Sequence, residues 1–90
     1  MDLRTYLSAA RRGEASRLSK KIGVSPVLIS QWASGTRPVP AEHCPALELE
    51  TGGAVNCEAL NASEPWRRIA DKSWPHPKGR PVLDFAQQGA

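Results

Sequence analysis

The N-terminal third of the chain places apolar side chains at the spacing of α-helices. Leu3, Leu7 and Ala10 share one face of a first predicted helix, which Asp2 can cap. We expect this helix to continue to Gly13, which would end it and leave two arginines in its last turn, where cations stabilise the helix dipole.

Two more helices are predicted on either side of Gly23. The first runs from residue 14 to about residue 22, because its apolar positions repeat at helical spacing. The second has Ser25 as a hydroxyl N-cap and Pro26 as its first helical residue, and it covers about residues 27–33. The glycine between them is the expected turn residue.

Shorter elements are predicted in the middle of the chain. Gly35 can take the left-handed conformation that ends helices, and the two prolines of residues 36–40 predict an extended connector. A fourth helix should lie within residues 41–51, where Pro45 favours a late or 3₁₀-like start. Asn56 is expected to cap a short helical turn after it.

From residue 63 onward, neither the helical nor the strand period persists, and four prolines prevent long elements. We therefore predict an all-α fold of four to five short helices over residues 1–62, followed by an irregular C-terminal tail over residues 63–90. Because Trp66 and Trp74 are unfavourable in water, at least one should dock on the helical core or on a second subunit. The predicted core consists of Leu3, Leu7, Leu18, Ile22, Ile29, Trp32 and Leu47.

Length and composition exclude several classes of protein. Ninety residues are too few for a TIM barrel or a doubly wound nucleotide-binding sheet. No apolar run approaches the roughly 20 residues that span a bilayer, and the N-terminus lacks the apolar core of a signal peptide. These features favour a cytoplasmic protein with no membrane partner, in which Cys44 and Cys57 stay reduced.

Charge is distributed in three blocks along the chain. Residues 1–37 carry seven Lys and Arg against two acids, residues 38–64 carry five Glu and no Lys or Arg, and residues 65–90 carry five Lys and Arg against two Asp. A strongly basic N-terminal block suits a polyanion such as nucleic acid. A solvated surface with a chance imbalance is the alternative that charge alone leaves open.

Residues 15–34 meet the packing requirements of a helix-turn-helix motif. A small residue, Ser19, lies where the two helices must approach closely, and Gly23 supplies the permissive turn. The apolar side chains that would seal the angle between the helices are Leu18, Ile22, Val24, Ile29 and Trp32. An ordinary helical bundle with a polar outer face is the structural alternative.

The run LSKKIGVSPVLISQWASGTRPVPAEHCPALELETGGAV resembles the Cro-type helix-turn-helix repressors of phages. More narrowly, it resembles the YdaS-type Cro-like regulators, which occur in prophages and beside toxin genes. The resemblance covers about residues 3–60, and it implies a recognition helix in the major groove and usually a homodimer on a near-palindromic operator. Pro45 and the Asn56-Cys57 pair depart from the family pattern, at positions that affect the dimer surface more than the DNA surface.

The third predicted helix offers the residues expected to read DNA. Its inner face holds Ile29 and Trp32. The opposite face, which must meet water or DNA, carries Val27, Ser30, Gln31 and Ser34. An amide side chain can bind adenine bidentately, serine can bind several bases, and valine can contact a thymine methyl group. The residues expected to contact the DNA backbone are Arg17, Lys20, Lys21, Ser25 and Arg37.

Weaker patterns suggest other chemistry. Residues 77–81, PKGRP, approach the Arg-Gly-Arg-Pro core of minor-groove AT-hooks, although a Pro-Gly turn leading into residues 82–85 is the simpler interpretation. The two histidines and two cysteines lack zinc-finger spacing, so no metal or cofactor is expected. Because the chain has no nucleophile motif, phosphate loop or paired acids, we do not expect an enzyme.

The sequence therefore predicts a transcriptional repressor that binds double-stranded DNA at specific sites and acts by occupying an operator that overlaps a promoter. The alternative is an antitoxin that binds a toxin protein through the Glu-rich residues 38–64 or through the aromatic tail.

Overall fold

The structure is a computed structural model, and it describes residues 1–84. Within these residues, five α-helices and a 3₁₀ turn are followed by a two-stranded antiparallel sheet. The elements, in chain order, are α1 Leu3–Ala9, α2 Glu14–Ile22, α3 Pro26–Ser34, the 3₁₀ turn Ala41–His43, α4 Cys44–Glu50, α5 Cys57–Leu60, β1 Trp66–Ile69 and β2 Arg80–Leu83. The fold is largely helical, as predicted, with a small sheet added.

The two central helices begin and end where the sequence predicts. α2 ends at Gly23, whose φ of 84° lies in the left-handed region. The hydroxyl oxygen of Ser25 accepts a hydrogen bond from the Leu28 amide at 3.2 Å and caps α3, with Pro26 in its first turn. Gly35 follows α3 with a φ of 80°. These boundaries confirm the predicted helix pair.

The first helix is shorter than predicted. α1 ends at Ala9, because Ala10 takes an extended conformation and its N–H donates to the carbonyl three residues earlier, at 3.4 Å. Gly13, expected to end this helix, instead precedes α2 with a φ of 91°. Arg11 and Arg12 therefore lie in the connection between α1 and α2. They are not in the last turn of α1, the position from which cations stabilise a helix dipole.

The next two helices follow the prediction. The 3₁₀ turn leads directly into α4, so that Pro45 lies in the first turn of α4, where its missing N–H removes no helical hydrogen bond. The side-chain oxygen of Asn56 accepts a hydrogen bond from the Ala59 amide at 2.9 Å and caps α5. Both the 3₁₀-like start and the asparagine cap are confirmed.

The predicted all-α fold is correct only for the helical part of the chain, because the tail, predicted to be irregular, forms a β-hairpin. β1 and β2 pair antiparallel, with Trp66 opposite Leu83 and Ile69 opposite Arg80. Each strand has only four residues, too few for an alternating pattern to stand out in the sequence. Pro81 is tolerated because both strands of a two-stranded sheet have an open edge. Residues 85–90 of the predicted tail lie outside the described residues.

One cluster of buried side chains holds the helices together. It consists of Leu3, Leu18, Ile29, Trp32, Val39, Cys44, Leu47, Val55 and Cys57. Two predicted core residues, Leu7 and Ile22, are only half-buried, and the other five lie within the cluster. Val39 and Val55 join it from connectors, where no helical period marks an inward side in the sequence.

The tryptophans of the tail attach the hairpin region to the helices. The Trp66 indole N–H donates to the Asn61 carbonyl oxygen at 2.8 Å, and its ring packs against the core. The Trp74 indole N–H donates to the Glu48 carboxylate. The prediction that at least one of these tryptophans docks is confirmed. The boundary between residues 62 and 63 stays a prediction.

Arg68 joins the hairpin to a buried carboxylate. Its Nη1 and Nη2 atoms donate to Oε2 and Oε1 of Glu48, at 2.6 and 2.7 Å, and the Cys57 amide donates to Oε1 at 3.0 Å. Glu48 is fully buried, and the Arg68 side chain is 9% exposed. Burial alone would raise the pKa of Glu48, but the hydrogen bonds from Arg68, Trp74 and Cys57 hold it below its usual value.

Candidate nucleic-acid interface

α3 has one buried face and one exposed face. Ile29 is fully buried and Trp32 nearly so. The exposed face carries the four side chains predicted to read bases, namely Val27, Ser30, Gln31 and Ser34. Val27 is 66% exposed, an unusual position for a valine, whereas Gln31 is half-buried. The structure therefore brings all four residues onto one side of a single helix.

The turn between α2 and α3 is organised around Ser19. The Gly23 and Val24 amides both donate to the Ser19 carbonyl oxygen, at 2.9 and 3.0 Å. The Ser19 hydroxyl donates to the Ser16 carbonyl at 2.9 Å, and the residue is buried. A larger side chain at this position would force the two helices apart. The small residue and the turn glycine thus occupy the places that the sequence assigns to them.

The C-terminal end of α3 fixes the point at which Arg37 leaves the helix. The Arg37 amide donates to the Gln31 carbonyl oxygen at 3.3 Å. The Ser34 hydroxyl donates to the same carbonyl at 3.2 Å, and its oxygen lies 2.8 Å from the Thr36 hydroxyl oxygen. Ser34 therefore has local hydrogen-bond partners, and a base would have to compete with them.

Arg17 is bound by carboxylates of its own chain. Its guanidinium donates to both Glu14 carboxylate oxygens, at 2.7 and 2.8 Å, and to a carboxylate oxygen and the carbonyl of Glu50, at 3.1 and 2.7 Å. The hydrogen bonds from Arg17, together with one from Tyr6, lower the pKa of Glu14 to about 2 against the opposing effect of burial. A DNA phosphate would have to displace these carboxylates, which sets Arg17 apart from the other predicted backbone contacts.

The remaining predicted backbone contacts are open to solvent. Lys20, Lys21 and Arg37 are exposed, and within residues 1–84 none of them forms an ion pair. Ser25 accepts its capping hydrogen bond through oxygen, so its O–H can still donate to a phosphate. Positive charge is therefore available at the last turn of α2 and just beyond the C-terminal end of α3, and Ser25 offers a neutral donor at the N-terminal end of α3.

Three of the five glutamates in the acidic middle of the chain form ion pairs with arginines of the same chain. Glu48 and Glu58 both bind Arg68, and Glu50 binds Arg17. The Glu50 and Glu58 side chains remain 28% and 46% exposed, so we expect their ion pairs to contribute little to stability by themselves. These ion pairs matter more for surface charge than for stability. They leave less unpaired negative charge on the surface than the sequence alone indicates. Sequence reasoning missed these pairs, since the partners lie far apart along the chain.

The paired carboxylates predict how stability responds to acid. Arginine partners hold the pKa values of Glu14 and Glu58 below the ordinary 4.5, and Glu48 is also lowered. Because the unfolded chain then binds protons more readily, the free energy of unfolding should fall as the pH drops below about 4.5 towards 2. Urea unfolding at a series of pH values measures this, and Glu14→Gln should make the fall shallower. A stability that stays constant between about pH 5 and 3 would contradict the pairing.

The PKGRP motif forms part of the hairpin. Gly79 is buried with a φ of 100°, and a β-carbon there would overlap the Ile69 carbonyl group. Arg80 and Pro81 belong to β2. An AT-hook needs an accessible, extended glycine backbone, so the structure matches the turn interpretation instead. Of residues 82–85, into which that turn leads, only Phe85 lies outside the described residues.

The thiols and histidines form no ligand set in the described part of the chain. Cys44 and Cys57 are buried free thiols, and a hydrogen bond with Cys44, together with burial, raises the pKa of Cys57. No group of three His, Cys, Asp or Glu side chains within residues 1–84 is placed to hold a metal ion. Among the helices of these residues, none is long and apolar enough to cross a membrane.

Comparison with known proteins assigns the chain to a family. A family model described as "Bacterial toxin YdaS" matches residues 7–67, which include α2 and α3. The chain is also 44% identical over 54 residues to "Putative transcriptional regulator YdaS" of Escherichia coli (strain K12), across 60% of this chain and 55% of that protein. It thus spans about half the length of this curated relative, and no solved structure matches it. The chain belongs to the YdaS family.

Proposed function

We propose that the chain is a transcriptional regulator that binds duplex DNA at specific sequences through a helix-turn-helix formed by α2 and α3. The exposed face of α3 carries this proposal. Val27 lies 66% exposed beside amide and hydroxyl side chains, a combination that suits a DNA groove better than bulk water. The name of the E. coli relative, which describes that protein as a transcriptional regulator, supports the same function.

Within this interface, Gln31 is the main base reader. Its side chain lies in the middle of the exposed face, and it has the donor and acceptor that match the N6 and N7 edge of adenine. Val27 contributes apolar contact with a thymine methyl group, and the Ser30 hydroxyl can form a hydrogen bond with several bases. Ser34 contributes only if it gives up its bonds to Gln31 and Thr36.

Affinity comes mainly from contacts with the DNA backbone. Lys20, Lys21 and Arg37 supply exposed cations, and Ser25 with the first turn of α3 supplies hydrogen-bond donors to a phosphate. With about three phosphates neutralised per monomer by these cations, log affinity should fall with log salt at a slope near −0.9 per phosphate. Arg17 would add to this only by leaving Glu14 and Glu50.

The proposed regulator is a Cro-like repressor in the cytoplasm that occupies its operator as a homodimer and blocks the promoter. One short recognition helix reads only a few base pairs, so specificity needs a second copy. Binding to the operator is enough to block the promoter, and the proposal includes no catalytic step, metal or cofactor.

Selection of bound sites from random duplex DNA tests the proposed function. We expect enrichment of a near-palindrome with half-sites roughly one helical turn apart, and two chains per site by sedimentation. Lys20→Gln serves as the control, because it should select the same sequence with weaker binding. Recovery of unenriched DNA would contradict sequence-specific binding, and one chain per site would contradict the homodimer.

The description of the family model as a toxin favours a second candidate, a role in a toxin–antitoxin pair. As an antitoxin, the chain would bind a toxin through its Glu-rich middle or its tail. However, three of the five glutamates in residues 38–64 bind arginines of the same chain, which leaves less negative charge for a partner. A stoichiometric second protein that co-purifies from the native host would favour this candidate over the repressor alone.

A further inference from the structure

The β-hairpin has an inner face and an outer face. Side chains alternate along a strand, so Arg67 points away from the face on which Trp66 and Arg68 contact the helices. Residues directly opposite each other in an antiparallel pair share a face. Arg80, which lies opposite Ile69, is therefore on the same outer face as Arg67.

The outer face, together with the loop over residues 70–79 that joins the two strands, carries several basic side chains. We call this surface the ribbon face, and its cations are Arg67, Lys72, Lys78 and Arg80. The first three are exposed, and their side chains make no hydrogen bond or ion pair within residues 1–84. Arg80 is half exposed, and its Nε lies 3.9 Å from an Asp71 carboxylate oxygen, so Asp71 offsets one of the four positive charges of this surface.

The hairpin holds these cations on a fixed support. Arg68 binds the buried Glu48 from the inner face, and Gly79 lets the turn pack directly against the Ile69 backbone. A surface that is ordered before binding loses less conformational entropy when it meets a ligand. The four cations therefore differ from those of a flexible basic tail, although they occur in a segment without sequence periodicity.

We propose that the ribbon face is a second DNA-binding surface, which contacts the phosphate backbone of duplex DNA without reading its sequence. A two-stranded β-ribbon can lie in a groove of duplex DNA. Cations without partners in their own chain are free to neutralise phosphates, and the release of the phosphates' counterions then favours binding. Duplex DNA is favoured over an acidic protein because residues 1–37, which include α2 and α3, are basic as well, so one polyanion suits both surfaces. The proposal rests on the proposed function only in this choice of ligand.

The ribbon face lies mostly beyond the part of the chain that the family model covers. The matched region ends at residue 67, before Lys72, Lys78 and Arg80. Contacts made by these residues would therefore add affinity to a DNA-binding unit whose sequence preference is set elsewhere, on α3.

Affinity for random duplex DNA, measured by fluorescence anisotropy over a series of salt concentrations, tests the ribbon face. The double variant Arg67→Gln with Lys78→Gln should bind several-fold more weakly at low salt, and its salt slope should be smaller by about two. The matched control, Arg67→Lys with Lys78→Arg, keeps both charges and should retain the wild-type slope. Circular dichroism should show the same fold for all three proteins, because both positions are exposed.

An unchanged slope in the glutamine variant would overturn the ribbon face and leave the role of α3 untouched. If the slope falls as expected but wild-type protein selects no sequence from random DNA, the ribbon face stands and the proposed function fails. Polyglutamate is the probe for an acidic protein partner. If polyglutamate at equal charge concentration displaces DNA from the wild-type protein but not from the glutamine variant, the surface belongs to acidic proteins and the proposal is overturned.

Discussion

Replacing Arg68 with alanine is expected to destabilise the chain by about 3–5 kcal/mol, the range typical of removing one partner from a buried ion pair. Glu48 has no exposed surface, and both of its carboxylate oxygens accept hydrogen bonds from Arg68. The indole of Trp74 and the amide of Cys57 would remain as donors, but neither carries the charge that compensates a buried carboxylate. Urea unfolding at neutral pH measures the loss.

Arg67→Ala is the matched control for this substitution, since the same residue type lies one position away on the outer face. It should change the free energy of unfolding by no more than about 0.5 kcal/mol. Replacing the pair with apolar residues, as Arg68→Met with Glu48→Leu, should recover only part of the stability, because it removes the unpaired charge but also removes the acceptor of the Trp74 indole N–H and the Cys57 amide. Equal losses in Arg67→Ala and Arg68→Ala would contradict the assignment of inner and outer faces.

Trp32→Ala should cost about 3–5 kcal/mol, because it opens a cavity where α3 packs on the rest of the core. The Trp32 ring lies with its centroid 5.4 Å from that of His43, in addition to its contacts with the buried cluster. Thermal or urea unfolding measures the loss, and Val27→Ala on the exposed face of the same helix is the control. A Trp32→Ala protein as stable as Val27→Ala would show that the two faces of α3 are assigned incorrectly.

The helix pair could be predicted because its signals are local. Ser25 and Pro26 specify a helix start within two residues, and Gly23 and Gly35 mark turns that require a left-handed backbone. The exposed face of α3 follows from the same register, since Ile29 and Trp32 identify the side that must be buried. Each of these inferences needs only neighbouring residues.

The hairpin and the ion pairs could not be predicted in this way, because their stability depends on residues distant in sequence. Trp66 pairs with Leu83, and Glu48 with Arg68, while nothing next to either residue specifies its partner. Arg17 illustrates the consequence for the candidate site. From the sequence it is one of several cations on a helix, whereas its contact with Glu50 reduces its availability to a phosphate.

In the proposed complex, Gln31 reads a base and Lys20 holds a phosphate, so the ratio of operator affinity to random-DNA affinity should distinguish their roles. Gln31→Ala should weaken operator binding by about 1–3 kcal/mol, lower this ratio and relax the preference at one position. Lys20→Ala, and likewise Arg37→Ala, should weaken both affinities together, keep the ratio and reduce the salt slope by about one. A ratio unchanged by Gln31→Ala but collapsed by Lys20→Ala or Arg37→Ala would contradict α3 as the reading helix.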